Sequence, residues 1–158
     1  MNIILSSIDS QFSALDARNR ELLDLLPDDL LFARPRDMPN SMAMFSCGEY
    51  ILRSAAMVEK SFDGIMTRLW DDPFEWTLPE YLSTRSSILR YLDEVHETRV
   101  RGFGFFESDS DLTRELPAPS QIRPLIAILV DTLAKAEHYQ GRAFAVFQML
   151  SDKRLPRL

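Results

Sequence analysis

The amino-acid sequence predicts an all-α protein, a four-helix bundle, on three observations. Four stretches repeat apolar residues at spacings of three, four and seven, and proline-bearing segments separate them. Strand-like alternation bounded by hairpin turns is absent. The 158 residues suit a single domain, 1–158, with a sizeable core, and the 46% hydrophobic content is too high for intrinsic disorder.

The first helix is expected over 8–26, with Ile8, Phe12, Leu15, Leu22, Leu23 and Leu26 inward and Asp16, Arg18, Arg20 and Glu21 outward. Pro27 and Asp28-Asp29 end it. In the connector 30–39, Pro35 and Pro39 forbid a regular helix, while Leu30-Leu31-Phe32 needs cover, which reads as an ordered loop packed on the bundle. Asn40 or Ser41 is expected to cap a second helix over 41–69. Its inward stripe is Met44, Phe45, Ile51, Ala55, Val58, Phe62, Ile65 and Leu69. Thr77-Leu78-Pro79-Glu80 has the capping-box arrangement and opens a short turn before the third helix, 84–103. That helix turns Ile88, Tyr91, Leu92, Val95 and Val100 inward. Segment 108–119 is polar, acidic and proline-rich, and reads as a loop. Ser120 is expected to cap the fourth helix, 120–151, with Pro124 in its first turn. Ile122, Leu125, Ile126, Leu129, Leu133, Ala136, Phe144, Phe147 and Leu150 form its wide apolar face. The long link between the second and third helices allows either an up-down order or a crossover.

A net charge of −6 works against binding to phosphate backbones, so no nucleic-acid partner is expected. No apolar run approaches the roughly 18 residues that a membrane span needs. Run 1–5 lacks a basic flank and does not read as a signal peptide, and the one cysteine, Cys47, suits a reducing compartment. A cytoplasmic location is the expectation. Cys47 lies among apolar neighbours with no histidine nearby in sequence and reads as a small core residue. His96, amid Asp93, Glu94 and Glu97, reads as part of a solvated helix face. Gly141 inside a helix points to the close approach of another helix. Trp70, Phe74 and Trp76 either cover one end of the bundle or form a dimer contact.

Two segments resemble the DinB/YfiT-like superfamily. One is Arg34-Pro35-Arg36-Asp37-Met38-Pro39-Asn40-Ser41-Met42-Ala43-Met44-Phe45, an Arg-Pro step leading into a Ser-capped second helix. The other, His138-Tyr139-Gln140-Gly141-Arg142, is similar to that superfamily's His-His-Arg-Gly-Gln signature. The resemblance implies a four-helix bundle, often dimeric, whose divalent metal is held by three histidines, one on the second helix and two, four residues apart, on the fourth. It also implies that some members are thiol-dependent S-transferases or isomerases. Aligned this way, Gly48 takes the second-helix ligand position, and Lys135 and Tyr139 take the fourth-helix pair.

The chain holds two histidines, His96 and His138, too few for three imidazoles. Lysine is cationic near neutral pH and glycine has no side-chain donor, so no metal and no cofactor are expected. Gly48, Glu49, Lys135, His138 and Tyr139 then form the expected binding cleft, with Lys135 and Tyr139 as the catalytic candidates. Their i, i+4 spacing puts them on one face, as a structural pair or an acid/base pair, with Glu49 as counter-ion to the lysine. A carboxylate-rich metal site from Glu49, Glu137 and His138 is opposed by geometry, because adjacent helix residues point about 100° apart. The expected function is a metal-free, non-catalytic bundle, a homodimer that binds a small molecule or a protein. The alternative is a thiol-dependent S-transferase or isomerase using a rebuilt site in the former metal cleft.

Overall fold

The computed structural model describes residues 2–35, 44–74 and 80–158. Its elements are α1 (Ile3–Leu25), a single turn α2 (Asp28–Leu31), α3 (Cys47–Thr67), α4 (Arg85–Phe103), a two-stranded hairpin of β1 (Glu115–Pro117) and β2 (Ile122–Pro124), and α5 (Leu125–Leu150). Short 3-10 turns, Glu80–Leu82 and Asp109–Thr113, lie in the connections.

Side-chain pairings fix the helix directions. Arg99 of α4 binds the Asp9 carboxylate and Arg20 reaches Asp93 at 2.8 Å, so α1 and α4 run antiparallel. Ser54 bonds Ala136 and Cys47 bonds Ala143, which makes α3 and α5 antiparallel. Arg18 and Leu15 of α1 meet Gln140 while Leu25 meets Lys153 just past α5, a parallel pairing. The order is therefore up-down-down-up, with the crossover in the α3–α4 link; α1 and α3 each pack between α4 and α5. The apolar stripes meet in the centre, where Phe12, Phe62 and Phe103 form an aromatic knot with centroids 5.2–6.1 Å apart. Burying a ring such as Phe62 contributes roughly 1.5–3 kcal/mol.

Several boundaries differ from the sequence reading. α1 starts five residues early because Asp109, far along the chain, accepts hydrogen bonds from the amides of Ile4 (3.1 Å) and Leu5 (2.9 Å). Arg85 closes its other end, donating to the Leu23 and Leu26 carbonyls. α3 begins at Cys47, since Met44 and Phe45 are non-helical and Ser46 forms a capping box with Glu49: Glu49 N donates to Ser46 Oγ (3.2 Å) and Ser46 N to Glu49 Oε2 (2.7 Å). Burial pushes the Glu49 carboxyl up, but bonds from Arg34 and Ser46 outweigh it and hold it below its ordinary value. The cap assigned to Asn40 or Ser41 lies outside the described residues, as do Trp76 and residues 77–79 of the second capping box.

α3 stops at Thr67, where Arg68 takes the left-handed conformation (φ 65°), and Leu69 is exposed rather than inward. Val100 is also exposed; the inward position of that turn belongs to Arg99, drawn in by Asp9. Ser120 caps nothing. Pro117, Pro119 and Pro124 remove amides from the stretch before α5, which instead pairs Glu115 with Pro124 and Pro117 with Ile122 across a hairpin. Pro124 becomes the N-cap of α5 and Ile122 faces solvent. The Leu30-Leu31-Phe32 run is covered as expected, with Leu31 fully buried and its flanks against the core.

Gly141 does not mark a close helix contact. It is exposed, and a Cβ built there would meet nothing within 4 Å. Gly141→Ala should therefore stabilise the protein by about 1 kcal/mol, read as a higher denaturation midpoint at unchanged m-value.

Candidate functional site

The seam between α3 and α5 is built from small residues and side-chain-to-backbone bonds. Ser54, fully buried, donates to the Ala136 carbonyl at 2.9 Å, and Thr132 donates to Ser61 at 2.6 Å. Buried Gln140 ties the seam to α1, donating to Leu15 O and Asn19 Oδ1, each at 2.8 Å, and accepting from Arg18 Nε at 2.7 Å. Arg18 also binds the Glu137 carboxylate, and Asn19 donates to Ser54 at 3.3 Å. The polar groups buried here are thus mutually satisfied.

Along the outer side of this seam runs a groove. Lys135, His138 and Tyr139 of α5 face Met57 and Lys60 of α3 across a cavity of about 390 Å³, with Asp72 at its rim. A neighbouring cavity of about 200 Å³ shares Met57, Lys60 and Lys135 and adds Trp70, Arg123, Asp131 and Thr132 among its walls. Lys135 Nζ binds Asp131 at 2.7 Å, and Arg123 reaches the same carboxylate at 3.4 Å. The lysine hydrogen bond leads in holding the Asp131 carboxyl below its ordinary range. Lys60 sits 3.9 Å from Asp72. Three cations thus face two carboxylates, a local positive excess on an acidic chain.

Three of the five cleft residues read from sequence, Lys135, His138 and Tyr139, come together in this groove. Gly48 and Glu49 do not join them. Gly48 lies nine positions before Met57, roughly 13 Å along the helix axis, and does not line the groove. Gly48 packs on the α2 turn, where an added Cβ would lie 2.9 Å from the Leu31 carbonyl oxygen. Glu49 is engaged by Arg34 at 2.7 Å and by its own cap, so it is no counter-ion to Lys135. The Lys135 ammonium binds Asp131 instead of the Tyr139 hydroxyl, and the Tyr139 ring lies against Tyr50 with centroids 6.4 Å apart.

Among the described residues, the α3 side chains around the Lys135–Tyr139 pair are Tyr50, Met57, Lys60 and Ser61, none an imidazole, thiolate or carboxylate. His138 Nε2 accepts from Arg142 Nε at 2.9 Å, so that nitrogen's lone pair is already engaged. The residues present do not fit the three-imidazole centre that the resemblance implies. Among the described residues no group of three or more His, Cys, Asp and Glu side chains could hold a metal ion. Cys47 is fully buried, its thiol donates to the Ala143 carbonyl, and burial pushes its pKa up to about 12, far from a usable thiolate. His96 is exposed and touches Arg99 at 3.3 Å. Trp70 lies over Gly64 and donates to Pro117 O at 3.1 Å, while Phe74 packs on Tyr91, so both cover the bundle.

The sequence reading missed Met57 and Lys60. Their spacing, on the flank of α3 next to the buried stripe, was a usable signal once α5 was known to lie there. Gln140→Leu should destabilise the protein by about 1–3 kcal/mol by orphaning the Arg18, Asn19 and Leu15 groups, whereas Lys135→Met should change stability by no more than about 0.5 kcal/mol. Urea denaturation of both variants checks this contrast.

No protein-family model matches the chain, and no curated protein does. Among solved structures, the chain is similar to a DinB-like protein from Bacillus cereus, at 14% sequence identity with a TM-score of 0.73. The match covers 97% of this chain and 96% of the other, so the two share a fold across nearly their whole lengths. Among the described residues no helix is long and apolar enough to cross a membrane.

Proposed function

We propose that this chain is a metal-independent binding protein, and that the α3–α5 groove holds a small organic molecule with an apolar body and one anionic group. The observation that carries this reading is the chemistry of the groove walls. Lys60 and Lys135 stand on opposite banks, Met57 and the Tyr139 ring offer apolar surface between them, and the cavity volume lies within the range of small-molecule sites. A cleft that held a metal in an ancestor would, on this reading, now present its positive charge as ammonium groups. The ligand is bound without being transformed, since neither Lys135 nor Cys47 is free to act as base or nucleophile.

Pairing of two copies in the cytoplasm belongs to the same proposal. Ile3, Ile4, Val100 and Phe105 are all at least half exposed and lie at one end of the bundle, where α1 begins and α4 ends. A second copy would cover them.

Calorimetric titration with 4-phenylbutyrate, against the neutral 4-phenyl-1-butanol, tests the binding claim. The carboxylate should bind saturably and at least tenfold more tightly, EDTA should change nothing, and the Lys60→Met, Lys135→Met double variant should abolish the preference. Equal uptake of acid and alcohol, or binding that disappears with chelator, contradicts the reading. Light scattering of the same sample decides the pairing, with a mass of two chains expected and one chain contradicting it.

A further inference from the structure

On the other flank of α3, facing α4, lies a second cavity of about 390 Å³ with the opposite character. Its walls include Glu59 of α3, Tyr91 and Glu94 of α4, and the aromatic rings of Phe74 and Tyr81 from the link between those helices. Tyr91, buried, donates its hydroxyl to Glu59 Oε2, and its ring meets Phe74 edge-on with centroids 5.4 Å apart. The other Glu59 oxygen receives no hydrogen bond among the described residues, and neither Glu59 nor Glu94 has an ion-pair partner there. One cation, Arg90, stands on the rim; it is exposed and pairs with neither.

A half-buried carboxylate with an open acceptor, a second carboxylate nearby and three aromatic rings make up the chemistry that recognises an ammonium group. The carboxylates supply charge and a hydrogen-bond acceptor, and the ring faces attract cations through their quadrupoles while packing on attached carbon. An anion would meet Glu59, Glu94 and, through space, Asp72, all of which raise the cost of negative charge at the Tyr91 phenol. Burial first, then the Asp63 and Glu94 charges, push the Glu59 carboxyl above its ordinary value against the Tyr91 hydrogen bond, so a cation that replaced the lost solvation would be welcome there.

We infer that the α3–α4 cavity is a binding site for a small organic ammonium ion, its charge set against Glu59 and Glu94 and its carbon skeleton against Phe74, Tyr81 and Tyr91. The site is separate from the α3–α5 groove and selects the opposite charge, so either can stand without the other.

The test uses the full chain and a matched pair of probes, 2-phenylethylammonium and the neutral 2-phenylethanol, titrated calorimetrically. The ammonium should bind saturably at one site per chain and at least tenfold more tightly than the alcohol. Glu59→Gln should weaken it at least tenfold. Since a change at the half-buried Glu59 risks the fold, Glu94→Gln and Tyr81→Ala serve as well, both at exposed positions, and each should weaken binding at least threefold. Lys135→Met, in the other groove, should leave it unchanged. Absent or nonsaturable uptake, a smaller preference over the alcohol, unaltered affinity in both exposed variants, or loss in Lys135→Met would each overturn the inference.

Discussion

The close seam between α3 and α5 is the constraint on which the rest of this molecule depends. Small side chains at Ser54, Ala136 and Ala143 let the two helices approach until Ser54 bonds directly to a backbone carbonyl of α5. Gln140 then joins that seam to α1, so one buried polar network sets the register of three helices. A purely apolar seam could slide by a turn at modest cost. This one cannot, because a slip would leave Gln140, Asn19 and Ser54 buried without partners. The register places Met57 and Lys60 beside Lys135 and Tyr139, while Gly48 sits on the side of α3 that packs against Leu31 and Phe32.

Register also explains why the fold was more legible in the sequence than the site. Apolar periodicity marked four helices because burial follows the 3.6-residue repeat, and Ile8, Phe12, Leu15, Leu22 and Leu23 are all buried as their spacing demands. Boundaries were harder to read where their cause lies elsewhere in the chain. Asp109 caps α1 from about a hundred residues away, and no local signal at Ile3 announces it. The Ser46–Glu49 capping box was written in the sequence, but the serine five residues earlier drew the assignment instead. Prolines rightly signalled a break before α5 yet could not say that the break would pair into a hairpin. For the site, a linear alignment placed Gly48 opposite Lys135, whereas the contact across α3 and α5 is set by packing. The Gly141 reading failed because a mid-helix glycine implies a neighbour only when one is present.

Helix geometry divides the two flanks of α3 cleanly. Glu59 and Lys60 are adjacent in sequence and therefore point about 100° apart, the first toward α4 and the second toward α5. One helix thus presents a carboxylate to an aromatic cavity on one side and an ammonium to a mixed groove on the other. Charge separation of this kind needs no metal and no flexible loop, because a rigid helix shared by both walls keeps the two environments apart. The fold shared with the DinB-like structure leaves the chemistry of the groove to this chain's own residues, Met57, Lys60, Lys135 and Tyr139.

Anomalous diffraction from crystals of the full chain soaked in zinc or manganese examines that separation most directly. With the α3–α5 groove formed by Lys60, Lys135, Met57 and Tyr139, the anomalous map should show no ordered peak between those helices. A well-occupied peak there, within about 2.3 Å of three or more protein donor atoms, would contradict the account.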